Sequence, residues 1–329
     1  MRSAHKILLW VCTVAILLPL ASKPEAAEVY PAKPIVFIVP LEAGAAGDIL
    51  SRKLVQKAAT VLGSPIVVVN KPGAGSTIGY REVYNAPPNG YTIGMATATI
   101  VTSKLQGLMP FDYHDLTMLG TFYGVYLNVF GSTKTTRPFK TIAEVIAFAK
   151  AHPGEVSVAA GGVGQNDWIG AMAFVSATGI NLNIIPQAGT DAMALAQLAG
   201  GHADLAITPL VAARSQVEGG FVRLLAVLGP RRIPYDKNVP TLKEIGYDVG
   251  WESPGNVIGP PKMPKDVVEK LTKVFEAAAS DPEYHKFLAG RFADPFVTSP
   301  DKIVPNLNER QKLVRGIMEK AGIIKETPK

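Results

Sequence analysis

Apolar and polar positions alternate along most of this chain in a pattern typical of short strands between amphipathic helices. Short β-branched runs predict strands at residues 35–39, 66–69, 91–96, 156–160, 205–207 and 224–227. Apolar residues at three- and four-residue spacing predict helices from 48 onward and at 141–151, 168–178, 193–199, 266–279, 282–289 and 303–321. Strands that alternate with helices in this way indicate an α/β fold with largely parallel sheets.

Two further β-rich segments predict how the chain is divided. Segments 123–130 and 251–258 have the character of crossings between two lobes. The first lobe would then comprise residues 28–128 and 250–329, and the second lobe residues 129–249. A chain of 329 residues is long enough for two lobes with their own cores. The cleft between such lobes is the expected ligand site.

The N-terminus has the order of a secretory signal. Arg2 and Lys6 precede an apolar stretch at residues 7–20, and small residues follow up to Ala27. We therefore predict a signal peptide over residues 1–27 and a periplasmic location. A retained membrane anchor is the alternative, although the stretch is shorter than the about 20 residues that span a bilayer.

Charge and cysteine content narrow the function further. The single cysteine, Cys12, lies in the leader, so the mature chain would have neither disulfide nor thiol chemistry. Cleavage after Ala27 would lower the net charge from +6 to +4, a mild excess that attracts small anions. The chain has no dense Lys/Arg face with interleaved aromatic residues, which argues against binding to nucleic acid.

The strand at residues 35–39 ends in a turn of small residues that leads into a helix. Helix N-termini carry unpaired N–H groups and a partial positive charge, so this turn is a candidate anion site. Gly44 and Gly47 would let a ligand approach the main chain closely. Asp48 is either the N-cap of the helix or a partner for a ligand amine. Glu42 either points to solvent or selects a ligand with a donor group.

A second turn of the same kind follows the strand at residues 156–160. The segment Gly161-Gly162-Val163-Gly164 precedes a helix, and Gly162 and Gly164 fit the first two positions of a dinucleotide-binding G-x-G-x-x-G. Asp167 occupies the third position, and its carboxylate would oppose a pyrophosphate. Two such turns, one from each lobe, can hold one negatively charged group from both sides. The alternative is that both are ordinary tight turns between a strand and a helix.

Sequence signatures of catalysis are absent. The mature histidines, His114, His152, His202 and His285, are far apart and have no metal-ligand spacing. No G-x-S-x-G is present. We therefore predict a binding protein, not an enzyme, with no cofactor and no metal. An exported α/β enzyme that acts on a small anionic substrate in the same cleft remains the alternative, because a triad of distant residues leaves no local signature.

Several motifs, in this order and spacing, resemble those of one family of transport receptors. They are Tyr-Pro-Ala-Lys-Pro-Ile at 30–35, the turn at 40–48 with Arg52, Val-Val-Val-Asn-Lys-Pro-Gly-Ala-Gly at 67–75, Pro-Asn-Gly-Tyr-Thr at 88–92, Gly-Gly-His-Ala-Asp-Leu at 200–205, Val-Pro-Thr at 239–241, Asp-Pro-Glu at 281–283 and Ala-Gly-Ile at 321–323. The chain resembles the Bug family, the solute receptors of tripartite tricarboxylate transporters. The resemblance covers nearly the whole mature chain.

The resemblance implies a two-lobed periplasmic-binding-protein fold of type II, which closes like a flytrap and has a mixed or parallel sheet in each lobe. It implies that a monomer binds a small organic carboxylate between the lobes and delivers it to the membrane permease subunits. The ligand-binding residues that it implies are Leu41, Glu42, Ala43, Gly44, Gly47, Asp48, Thr97, Ala98, Thr99, Ala160, Gly161, Gly162, Val163, Gly164, Gln165, Asn166, Gln187 and Thr208.

The chain departs from the family pattern at several of these positions. Ala45 replaces the second glycine of the first turn, Ala160 and Gln165 stand where hydroxyl side chains are usual, and Trp168 replaces a histidine. Carboxylate binding through main-chain N–H groups should survive these changes, whereas the identity of the ligand cannot be copied from a relative. Trp168 and Gln165 suggest an aromatic acid; a dicarboxylate is the other option.

Overall fold

The computed structural model describes residues 30–187 and 191–325. The predicted signal peptide lies outside these residues. The strands are β1 (Ile35–Val39), β2 (Ile66–Asn70), β3 (Thr92–Ala96), β4 (Thr117–Ser132), β5 (Ser157–Ala160), β6 (Asn183–Pro186), β7 (Leu205–Pro209), β8 (Val222–Val227) and β9 (Glu252–Gly259).

The helices alternate with these strands through the first two thirds of the chain and then follow one another. They are α1 (Ala46–Leu62), α2 (Thr77–Tyr84), α3 (Thr99–Leu105), α4 (Ile142–Ala151), α5 (Asn166–Thr178), α6 (Asp191–Gly200), α7 (Leu210–Glu218), α8 (Lys265–Ala279), α9 (Pro282–Ala289) and α10 (Pro300–Lys320). None of the helices within the described ranges is long and apolar enough to cross a membrane.

The long strand β4 joins two groups of strands into one mixed sheet. Its first part pairs antiparallel with β9, which continues to β3, β1 and β2. Its second part, from Leu127, pairs antiparallel with β7 and β8, and β7 continues to β5 and β6. Within each group, the strands β2-β1-β3 and β6-β5-β7 run parallel. The predicted two-lobed α/β fold is confirmed, with its lobes joined through β4.

Both predicted crossings fall in strands, of which β4 pairs with both groups and β9 pairs with β3 and the first part of β4. Segment 123–130 lies inside β4, and most of segment 251–258 lies inside β9. Helix α8, near the C-terminal end, packs against α1 of the first group, and Phe275 of α8 lies 6.0 Å from Phe37 of β1 between ring centroids. The C-terminal region thus contributes to the first core, as a discontinuous lobe requires. The boundaries at 128/129 and 249/250 stay a prediction.

Helix α1 shows how the sequence determines the packing and the end of a helix. Leu50, Leu54 and Val55 are buried in the core that contains the strand β1. The helix ends at Gly63, whose φ of 71° is left-handed and whose N–H donates to the Ala59 carbonyl. Glycine adopts this conformation without a Cβ penalty, so the end of α1 is encoded locally.

The hydrophobic pattern of the sequence did not reveal several short helices and strands. Strand β6 and helices α2, α3 and α7 were not predicted, and α1, α5, α6 and α10 begin two or three residues before their predicted starts. These missed elements contain only one to three turns or four strand residues, so hydrophobic periodicity has too few repeats to reveal them.

A buried carboxylate ties β5 to the turn before β7. Asp204 is 4% exposed and accepts hydrogen bonds from the Ser157 N–H at 2.9 Å, the Ser157 hydroxyl at 2.8 Å and Arg137 Nη2 at 3.0 Å. Asp204 belongs to the Gly-Gly-His-Ala-Asp-Leu motif, so this motif has a structural role.

We expect Asp204→Asn to lower the free energy of unfolding by about 2–4 kcal/mol, because it removes a buried charge and places an amide among donors. Glu218→Gln is the matched control, since Glu218 forms an exposed pair with Arg214 within α7. The control should change stability by less than about 0.5 kcal/mol. Urea unfolding measures both variants, and equal effects would contradict the assigned role of Asp204.

Candidate ligand-binding site

The two predicted turns face one cavity. The start of α1 and the loop after β3 line one side of it, and the start of α5, Asp191 and the end of β7 line the other. The lining residues are Leu41, Ala45, Ala46, Gly47, Ser76, Met95, Thr97, Thr99, Tyr123, Val125, Gln165, Asn166, Asp167, Asp191, Pro209, Ser253 and Pro254. The space that the centre of a water molecule can occupy in this cavity is about 60 Å³. The cavity therefore has room for a small ligand.

The N-terminus of α1 already binds a carboxylate of the chain itself. Ala45 precedes the helix in an extended conformation and its side chain provides no cap. The Ala46 N–H donates to Asp191 Oδ2 at 3.3 Å, across 145 positions of sequence. The property predicted for this turn, attraction of an anionic group by helix N–H groups, is therefore used inside the protein.

The N-terminus of α5 is anchored to the residue directly before β9. Gln165 precedes α5 in an extended conformation and its side chain makes no cap bond. Asn166 Oδ1 accepts a hydrogen bond of 2.7 Å from the indole Nε1 of Trp251, a buried residue directly before β9. This bond fixes the first turn of α5 at the cavity wall.

Buried hydroxyl groups supply neutral donors and acceptors. Tyr80 lies within hydrogen-bond distance of Thr99 at 2.6 Å, and the hydroxyls of Thr97 and Thr99 are 2.8 Å apart. At the start of α1, the Tyr123 hydroxyl donates to the Gly47 carbonyl at 3.2 Å and lies 3.1 Å from the Ser51 hydroxyl. Burial raises the pKa of Tyr123, so this phenol stays protonated and serves as a hydrogen-bond donor.

The formal charge of the lining is negative. Asp167 and Asp191 are each 6% exposed. Burial and the charge of Asp191 raise the pKa of Asp167 well above its usual value. No lysine, arginine or histidine is among the described residues that line the cavity. Across the described ranges, no group of three or more His, Cys, Asp or Glu side chains is placed to hold a metal ion.

Asp48 is held by its own neighbours instead of facing the cavity. It is the third residue of α1, not its N-cap as one interpretation of the sequence had it. Its carboxylate accepts hydrogen bonds from the Gly44 N–H at 2.9 Å, Arg52 Nε at 3.0 Å and Asn70 Nδ2 at 2.8 Å. Burial opposes the charge, but these hydrogen bonds outweigh it and hold the pKa of Asp48 below its usual value.

The structure brings only some of the predicted site residues to the cavity. Six of them line it, namely Leu41, Gly47, Thr97, Thr99, Gln165 and Asn166. The remaining twelve lie outside its lining. They are the exposed residues Glu42, Ala43 and Gly44, the buried Asp48, Ala98, Ala160, Gly161, Gly164 and Thr208, the half-buried Gly162 and Gln187, and the exposed Val163. Contact with a ligand stays a prediction for all eighteen residues.

Several lining residues were not predicted. Tyr123, Ser76, Met95 and Ser253 gave no local signal, and Asp167 was considered only as an obstacle to pyrophosphate. Asp191 had one usable signal, its position at the start of a helix. Trp168, which had suggested an aromatic ligand, is buried in the core and does not line the cavity.

Comparison with known proteins shows to which family the chain is similar. Residues 50–323 match the family described as tripartite tricarboxylate transporter family receptor. The chain is 30% identical over 313 residues to protein BugT of Bordetella pertussis, with 92% of each chain covered. It is 28% identical to the periplasmic binding protein BugD, with 90% of this chain and 100% of BugD covered and a TM-score of 0.81. The R. palustris protein Rpa4515, solved with adipate, is 24% identical at a TM-score of 0.83, with 90% and 99% covered, and supports the fold alone.

The Asp48 cluster generates a prediction about pH. A carboxylate with a lowered pKa in the folded state stabilises the protein above its unfolded pKa of about 4, and this contribution is lost as the pH falls through the folded value. We expect Asp48→Asn to cost about 1–3 kcal/mol at pH 7, and the difference from wild type to shrink below about pH 4. Urea unfolding at pH 7, 5, 4 and 3 measures it. A difference that is constant with pH would contradict the assigned charge state.

Proposed function

The chain belongs to the tripartite tricarboxylate transporter receptor family, and from this premise we propose that it binds a small organic carboxylate in the cavity between α1 and α5. In this proposal the loaded receptor delivers the ligand to the membrane permease subunits of such a transporter. The family is one of transport receptors, so the same cavity serves capture and release without turnover.

One observation carries the proposal: two helices from different parts of the chain begin at one cavity without side-chain caps. Main-chain N–H groups at a helix start favour an anionic group. The Thr97 and Thr99 hydroxyls and the Gln165 amide add uncharged partners from both walls. A ligand carboxylate can therefore exchange its hydration shell for hydrogen-bond donors of the protein. This is the kind of anion binding that the sequence of the two turns predicted.

Capture is coupled to the arrangement of the lobes. Residues of both strand groups line the cavity, and β4 connects these groups. A ligand that contacts both walls stabilises the arrangement in which the walls are close, by the difference in its contacts between open and closed forms. The permease would then recognise the surface of the closed receptor.

The proposal includes export to the periplasm through the leader at residues 1–27 and action as a monomer. Gel filtration of the mature protein and N-terminal sequencing of the exported protein test these two points. An aromatic acid is not part of the proposal, because Trp168 lies in the core. An enzyme in the same cleft would release a product, whereas a receptor returns its ligand unchanged.

The direct test is a thermal-shift screen of the mature protein with mono-, di- and tricarboxylates and amino acids. A ligand present at 100 times its Kd stabilises the folded state by about 2.7 kcal/mol and raises the Tm by about 5 °C. We expect at least one carboxylate to produce such a shift, and mass spectrometry to recover it unchanged. Conversion to a product would support the enzyme alternative.

Gly47→Val tests whether the ligand occupies this cavity. A Cβ at Gly47 would lie 2.8 Å from Leu41 Cδ1 and 2.9 Å from Met95 Cε, so the side chains of both lining residues would be pushed into the cavity. We expect the thermal shift to disappear while the variant stays folded. Gly316→Val is the matched control, because no atom lies within 4 Å of a Cβ at Gly316 of α10. A full shift in Gly47→Val would place the ligand elsewhere.

A further inference from the structure

We propose that the chain has a second small-molecule site, between the strands β4 and β9 and the helix α10, and that this site binds an uncharged polyhydroxy compound of the size of a monosaccharide. The site is a cavity of its own, separate from the cavity between α1 and α5. The proposal therefore goes beyond the proposed function, because it adds a different ligand at a different place.

The second cavity lies across the strands from the first one. In β9, Ser253 lines the cavity between α1 and α5, whereas its neighbour Glu252 and, further along the strand, Asn256 line the second cavity. Successive side chains of a strand point to opposite faces of the sheet, which explains this division. Pro254 lines both cavities, so one layer of strands separates them.

Two further parts of the chain form the walls of the second cavity. Segment 294–298 makes antiparallel bridges with Thr121 and Gly124 of β4, and it contributes Phe296 to the lining. The helix α10 contributes Ile303, Asn306, Leu307 and Arg310. The space that the centre of a water molecule can occupy here is about 250 Å³, whereas a single bound water requires about 10–15 Å³. The cavity therefore has room for a ligand much larger than one bridging water.

Two buried polar atoms of this lining have no hydrogen-bond partner among the described residues. They are Glu252 Oε1 and Asn256 Nδ2, and Asn256 is only 2% exposed. Thr121 donates to the other amide atom, Asn256 Oδ1, at 2.6 Å, so the amide is held in place while its NH₂ group remains available. Because buried polar groups are nearly always hydrogen-bonded, two such atoms at one cavity indicate that a bound molecule completes their hydrogen bonds.

The neighbouring strand leaves space for the Glu252 carboxylate at this place. A Cβ at Gly124 would overlap with Glu252 Oε1, and Gly124 does not have the left-handed φ that would itself favour glycine. Burial raises the pKa of Glu252, although the charge of Arg310 acts in the opposite direction. A hydrogen-bond donor from a ligand would stabilise the ionised carboxylate in this position.

The charges of the lining favour an uncharged ligand. Glu252 and Arg310 are the two charged side chains among the described residues that line the second cavity. Arg310 donates to the main-chain carbonyl of Glu252 and not to its carboxylate. An anion would be repelled by Glu252 and a cation by Arg310, so a ligand with a net charge of either sign loses on one side what it gains on the other.

Hydroxyl groups match the hydrogen-bonding atoms of the lining. A hydroxyl both donates and accepts, so neighbouring hydroxyls of one ligand can donate to Glu252 Oε1 and accept from Asn256 Nδ2 and the Arg310 guanidinium. Phe296 and Leu307 add apolar surface for the carbon skeleton of the ligand, a combination that is usual in small-molecule sites. A sugar or a cyclic polyol provides both kinds of surface in a compact form.

Isothermal titration of the full mature protein with two matched sets of sugars tests the class of ligand. Glucose, glucuronate and glucosamine have the same ring and differ in charge, and galactose, galacturonate and galactosamine form the second set. At pH 6 the amines are protonated and the acids are ionised. We expect at least one of the two neutral sugars to bind, and its charged relatives to bind at least tenfold more weakly.

Asn306→Trp and Gly124→Ala test where the sugar binds. Asn306 is an exposed residue of the lining, so a larger side chain there fills the cavity without the loss of a buried group, and Gly124→Ala displaces the Glu252 carboxylate. We expect each variant to bind the neutral sugar at least tenfold more weakly. Lys312→Trp, at an exposed position of α10 outside the lining, is the matched control and should bind it normally. Gly47→Val should also retain sugar binding, because it alters the other cavity.

The outcomes separate this inference from the proposed function. If none of the six sugars binds, the inference is wrong and the second cavity holds solvent only. Binding of a charged sugar within tenfold of its neutral relative, or more tightly, would overturn the uncharged class. Sugar binding that persists in Asn306→Trp would place the sugar elsewhere, and this surface variant decides if Gly124→Ala fails to fold. None of these results changes the outcome of the carboxylate screen, which tests the proposed function.

Discussion

The site depends on helix starts whose N–H groups are directed into the protein and are not capped by neighbouring side chains. Helices α4 and α9 have local caps, since Thr141 accepts from the Glu144 N–H and Asp281 accepts from the Glu283 N–H. Helices α2, α3, α7, α8 and α10 have no side-chain cap, so what distinguishes α1 and α5 is that their uncapped starts meet at one cavity. The residues before α1 and α5 are Ala45 and Gln165, and neither provides a side-chain cap. The donors of these first turns are therefore left for partners from distant parts of the chain or for a ligand.

This arrangement also shows how far the sequence could predict the molecule. The two strand–turn–helix units and their shared cavity were predictable, because glycine-rich turns and apolar runs are local signals. Which residues form the site was less predictable. Ala46 and Asp191 are in contact although they are 145 positions apart in sequence, and Tyr123 reaches the cavity from β4. Asp48 illustrates the limit within a single turn. Its sequence position fits both a cap and a ligand contact, and only the positions of Arg52 and Asn70 decide that it is structural.

The buried acidic residues differ in their surroundings. This difference distinguishes acids with a structural role from acids that belong to the candidate site. Asp48 and Asp204 are each buried with an arginine and further donors, which is how a folded protein accommodates a buried charge. Asp167 is buried beside Asp191, which raises its pKa. The burial of one acid beside another destabilises the folded protein locally. Such a local destabilisation is typical of functional sites, where a ligand can offset it.

The point where β4 changes its partner strand and the candidate site are connected by one side chain. Trp251 immediately precedes β9, donates from its indole to Asn166 at the start of α5, and lies beneath Arg310 of α10. The Trp251 carbonyl also accepts from the Leu127 N–H, at the residue where β4 changes its partner from β9 to β7. A change in the angle between the two strand groups must therefore move the first turn of α5 relative to α1. Because the ligand would contact both turns, the free energy of its binding acts directly on the strands that join the lobes.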